Sequence, residues 1–104
     1  MSTDAARSPE HDVHEARQRL GHEHRSRLIQ LSAIEDGAAH AAEELIAAQT
    51  AAIRRVLTEI KAAEDRLTNG SYGTCQHCGT SIPVERLEIL PYVRYCVDCQ
   101  QRAS

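Results

Sequence analysis

Two Cys-x-x-Cys pairs, Cys75-Gln76-His77-Cys78 and Cys96-Val97-Asp98-Cys99, stand 17 residues apart in the last third of a 104-residue chain. Two residues between sulfurs let one tight turn aim both inward, and an intervening segment of this length returns the second pair to the opposite side. The spacing therefore predicts a tetrahedral four-thiolate site for one structural zinc ion. Gly79, directly after Cys78, supplies the positive φ that such a turn often needs. An iron site with the same ligands and a dithiol redox pair are the alternatives. With sulfur in all four positions, none remains for water or substrate, which argues against catalysis at the metal. His77 lies inside the first knuckle but is surplus to a four-Cys site, and His11, His14, His22 and His24 have no acid or Cys cluster to complete a second one.

A staple of this kind answers a need visible in the composition. Hydrophobic residues make up 41% of the chain, yet 15 of them are Ala, Phe and Trp are absent, and Tyr72, Tyr92 and Tyr95 are the only aromatics. A thick core is not available, and the chain must be an extended helical shape, a small metal-stapled fold, or both in sequence. The polar N-terminus, Met1 to Val13, has no apolar signal region, and no run reaches the roughly 18 apolar residues of a membrane span. A cytoplasmic protein without membrane contact is expected, a compartment in which cysteines serve as metal ligands or redox thiols. The formal net charge of −3 argues against a non-specific nucleic-acid binder.

Residues 1–8 read as a disordered tail, and Ser8-Pro9-Glu10 has the form of a helix start. Val13, Ala16, Leu20, His24, Leu28, Leu31 and Ile34 then recur at steps of three and four, which predicts an amphipathic helix weakest around Gly21 to His24. The pattern breaks at Asp36-Gly37. In a second helix Ile46, Ile53, Ile60 and Leu67 stand seven apart, with Gln49, Val56 and Ala63 between them, and Asn69-Gly70 provides the stop. Two such helices joined by a short break should fold back as an antiparallel coiled-coil hairpin over 9–69, its tip near 35–41. A bundle completed by another chain is the alternative. From residue 70 the character changes: Pro83 to Leu90 could form two helical turns ended by Pro91, and the stretch between the cysteine pairs is too short for a core of its own. The fold class is thus mostly α, a two-helix hairpin at 9–69 followed by a small four-Cys finger at 70–104.

Charge is unevenly placed. Residues 1–34 carry five basic and five acidic side chains and the finger three of each, so the middle holds the whole −3. Within it Glu35, Asp36, Glu43 and Glu44 flank the expected turn with no Lys or Arg among them. On composition alone this is a solvated charge run.

The run Asn69-Gly70-Ser71-Tyr72-Gly73-Thr74-Cys75-Gln76-His77-Cys78-Gly79, with Ile82, Arg86-Leu87-Glu88, Pro91 and Cys96-Val97-Asp98-Cys99-Gln100, resembles the zinc finger of the DksA/TraR family of bacterial transcription factors. The hairpin before it matches the coiled-coil part of the same family. The resemblance implies that Cys75, Cys78, Cys96 and Cys99 bind zinc. It also implies that the chain binds RNA polymerase without needing DNA contacts, inserting an acidic tip that includes Glu35, Asp36 and Ala38 into the secondary channel, often together with ppGpp. Effective members show Asp-x-x-Asp-x-Ala at the turn. Here Asp36-Gly37-Ala38 matches the second half and Ala33 holds the first Asp position, while an ungapped count back from Cys75 puts Ser32 and Glu35 there instead. Five residues follow Cys99, so a C-terminal helix and a ppGpp site depending on it are not carried over. A monomer is expected.

Two other readings compete. A zinc ribbon binding nucleic acid would have only Arg86, Arg94 and Arg102 to offer against Glu85, Glu88 and Asp98. A zinc-thiolate redox sensor would lose its metal on oxidation. Enzymatic activity finds no support, since no nucleophile and base pair, phosphate loop or open metal position is visible.

Overall fold

A computed structural model describes residues 9–37 and 42–103; the tail expected at 1–8, the Ser8 cap and Ala38 lie outside the described residues. The described chain forms α1 (Pro9–Asp36), α2 (Glu43–Asn69), α3 (Val84–Ile89) and α4 (Val97–Ala103). Pro9 opens α1, where its missing N–H leaves no bond unmade. The helix runs unbroken through Gly21. Its last turn closes with the Gly37 N–H donating to the Ala33 carbonyl at 3.1 Å. α2 begins without a side-chain cap, but Glu43 and Glu44 occupy its electropositive first turn. It ends as expected at Gly70, whose φ of 86° allows the left-handed stop.

α1 and α2 pack against each other as the two arms of a hairpin. In α2 the expected ladder holds: Ile53, Ile60, Ala63 and Leu67 are buried and Ile46 and Val56 half-buried, with Gln49 alone exposed. In α1 the seam differs from the expected one. Ala16 and Leu20 are buried, but His24 and Leu28 are exposed, Leu28 to 46%, and the half-buried positions that follow are Glu23, Arg27, Leu31 and Ile34. At 3.6 residues per turn each four-residue step rotates the stripe by about 40°, so the consecutive fours 20, 24, 28 leave the interface. The steps of three from 20 to 23 and from 31 to 34 each turn the stripe back by about 60°, so 23, 27, 31 and 34 stay on it.

The buried cluster Ala16, Leu20, Ile60, Ala63 and Leu67 lies at the hairpin base and is continued by Val13, Val56, Tyr72 and Tyr92, so hairpin and finger share it. A second small cluster corrects the expectation of no core between the cysteine pairs. Ile82 at 4% exposure and Leu87 at 8% pack with Cys75 and Cys99, and Tyr72, Val93 and Tyr95 close over them. Leu87 reaches that site because α3 forms two turns after Pro83 and presents its one buried side chain inward.

Candidate metal centre

The first knuckle is a backbone turn. The Cys75 N–H donates to the Thr80 carbonyl at 2.8 Å, the Gly79 N–H to the Cys75 carbonyl at 3.0 Å, and Gly79 takes a φ of 78° that a side chain would resist. Thr74 and Ser81 form an antiparallel bridge just outside it, and the Ile82 N–H returns to the Gly73 carbonyl at 2.8 Å. The second pair is held differently. Cys96 precedes α4 and Cys99 sits in its first turn, with the Gln100 N–H donating to the Cys96 carbonyl at 2.9 Å. A backbone bond joins the halves, from the Gln76 N–H to the Arg94 carbonyl at 2.9 Å.

These elements bring the ligand atoms of Cys75, Cys78, Cys96 and Cys99 within 4.8 Å of one another. The Cys78 and Cys96 sulfurs are 3.7 Å apart. Zinc–sulfur bonds of about 2.3 Å in a tetrahedron give sulfur–sulfur edges of about 3.8 Å, whereas a disulfide would need about 2 Å, so the donor set fits one zinc ion. Cys75 and Cys99 are buried, Cys96 half-buried and Cys78 exposed, and the Cys78 sulfur also contacts the Thr80 hydroxyl at 2.9 Å. The thiols differ in acidity. Backbone N–H donors, that of Cys78 foremost, pull Cys75 down to about 5, and the Thr80 hydroxyl lowers Cys78. Burial pushes Cys99 up to about 12. Among the described residues this quartet is the one group of three or more metal-ligating side chains, and His14, His22, His24 and His77 are all exposed.

Sequence reasoning missed the joint that fixes this centre to the hairpin. Arg66, 4% exposed, donates from Nη2 to the carbonyls of Tyr92 at 3.5 Å and Val93 at 3.4 Å. Its burial lowers its pKa, and Nη1 is buried without a hydrogen-bond partner. The Tyr72 hydroxyl donates to the Pro91 carbonyl at 2.7 Å, and burial raises its pKa. Arg94 grips both Glu59 oxygens, the Nη2 bond being 3.2 Å, and reaches Gln76 Oε1 at 2.9 Å, so a single guanidinium links α2 to the first knuckle. Its pKa is raised by the hydrogen bond to Glu59. Arg86 Nε donates to the Tyr95 carbonyl at 3.3 Å. In the sequence each of these arginines looks like a surface charge.

The tip acids lie at the other end of the hairpin. Glu35 and Asp36 are exposed in the last turn of α1, and Glu43 and Glu44 are exposed in the first turn of α2.

Residues 70–104 match the prokaryotic dksA/traR C4-type zinc finger family. The chain is 43% identical over 47 residues to general stress protein 16O of Bacillus subtilis. It is 34% identical over 51 residues to the RNA polymerase-binding transcription factor DksA of Haemophilus influenzae. The matched stretches take in 45% and 49% of this chain but only 29% and 35% of those relatives, about a third of their length. The structure of transcription factor DksA2 from Pseudomonas aeruginosa superposes with a TM-score of 0.59 at 26% identity, covering 91% of this chain and 81% of that one. The likeness in structure thus runs through hairpin and finger together, and the finger at 70–104 belongs to the prokaryotic dksA/traR C4-type zinc fingers.

Proposed function

We propose that the chain is a transcription regulator that binds RNA polymerase, inserts the acidic end of its hairpin into the secondary channel, and so modulates initiation. The observation that carries this reading is the placement of Glu35 and Asp36. Both are exposed in the last turn of α1, which contains no basic residue. The macrodipole makes a helix C-terminus the unfavourable end for an anion, by roughly 0.3–1 kcal/mol per charge, so helix stability does not account for them. With Glu43 and Glu44 across the turn they form an acid-only end of a long, narrow molecule, 60 × 30 × 21 Å overall, a shape suited to entering a channel. The name of the Haemophilus influenzae relative records polymerase binding. The nucleic-acid reading is weakened because two of its three finger arginines, Arg86 and Arg94, are engaged with this chain's own Tyr95 carbonyl, Glu59 and Gln76.

The test is in vitro transcription with Glu35→Gln and Asp36→Asn. The chemistry of the tip predicts a reduced effect on initiation with unchanged or slightly raised stability, since each substitution removes a charge from the wrong end of a dipole. Variants indistinguishable from the parent in transcription would remove the tip from the mechanism.

A further inference from the structure

Burial along the hairpin is lopsided. Ala16 and Leu20 of α1 and Ile60, Ala63, Arg66 and Leu67 of α2 are buried in the half nearer the finger, and Ile53, just past the middle of α2, is the buried residue that lies furthest toward the tip. Among the described residues from 21 to 52 none is buried. The change occurs where the α1 seam turns polar. Glu23 and Arg27 pair with each other at 3.3 Å, each about 29% exposed, Arg27 also donates to Gln30 at 3.2 Å, and its Nε is buried without a hydrogen-bond partner. Beyond them Leu31, Ile34 and Ile46 are half-buried, while Leu28, Ile29 and Leu45 are 46%, 70% and 53% exposed.

Helices of this length in water are held chiefly by the apolar face they bury, and a partly exposed ion pair contributes little in its place. The base has that face, and it shares the cluster with Tyr72 and Tyr92 of the finger. The outer arms do not. We infer that the hairpin consists of two cooperative units. The base, 13–20 with 56–67, folds with the finger; the outer arms, 24–36 with 43–52, open and close on their own while the base stays intact. The polar pair Glu23 and Arg27 is the boundary between them. A partner that grips the closed tip then meets it open for a fraction of the time and binds with its intrinsic affinity multiplied by the closed fraction, so seam residues that touch no partner tune binding. This division does not depend on the polymerase reading.

Hydrogen exchange by mass spectrometry on the zinc-loaded full chain tests it. Amides of 24–36 and 43–52 should exchange on the order of a hundredfold faster than those of 13–20 and 56–67. Ile34→Ala should speed the outer arms alone, whereas Ile60→Ala should speed both. Glu23→Leu combined with Arg27→Leu, which makes the seam apolar, should slow the outer arms toward the base rate. One common rate for arms and base, or an Ile34→Ala effect that spreads equally to the base, would overturn the division.

Discussion

Tyr72 is the side chain through which hairpin and finger hold each other, and its two contributions can be separated. Its ring is half-buried against both apolar clusters, and its hydroxyl donates to the carbonyl of buried Pro91 at 2.7 Å. Tyr72→Phe keeps the ring and leaves that carbonyl without its donor, which should cost about 1–2 kcal/mol. Tyr72→Ala also removes the ring. Full truncation of a buried aromatic costs about 3–5 kcal/mol, and half-burial places this site near the low end, at about 3 kcal/mol. Against roughly 5–15 kcal/mol for a chain of 104 residues, both variants remain folded. Urea unfolding of the zinc-loaded protein reads the loss by far-UV circular dichroism, which follows the helices, and by fluorescence of Tyr92 and Tyr95, which follows the finger. In Tyr72→Ala the two transitions should separate as well as shift. A loss below about 1 kcal/mol for Tyr72→Ala, or transitions that still coincide, would refute the shared joint.

Other perturbations have equally definite outcomes. Cys96→Ser removes a thiolate and should abolish stoichiometric zinc binding and unfold the finger, with loss of helical dichroism from the hairpin base that shares its cluster; a variant that still holds one zinc per chain would contradict the four-Cys assignment. Burial pushes the Cys99 thiol up to about 12, so it holds its proton at neutral pH until a metal displaces it. Zinc uptake at pH 7 must therefore release at least the Cys99 proton, measurable with an indicator in weak buffer, and uptake without proton release would be inconsistent with that ligand. Glu59→Gln leaves Arg94 without its carboxylate and should lower stability by about 1 kcal/mol with zinc stoichiometry intact, read by urea unfolding.

Legibility in the sequence followed the range of the interaction. The cysteine quartet, the Gly70 stop and the α2 ladder are written in local spacing, because a metal site and a heptad impose fixed intervals. The α1 seam was misread where its interface positions are polar: a search for apolar periodicity selects His24 and Leu28, while the helix geometry selects Glu23 and Arg27. Arg66 carries no sequence signal, since its burial depends on carbonyls 26 and 27 residues further on. Ile82 and Leu87 become a core only once Cys75 and Cys99 pack beside them, which turns a stretch that looked too short into a small cluster. For the tip, Glu35 and Asp36 stand exposed at the end of α1, and Ala38 lies outside the described residues.

The central claim, that the acidic end of the hairpin engages RNA polymerase, is tested most directly by retention of core polymerase on the zinc-loaded, immobilised chain, compared with a variant lacking residues 32–44. The account predicts that the full chain retains polymerase and the shortened one does not. Failure of the full chain to retain polymerase, or equal retention by both, would contradict it.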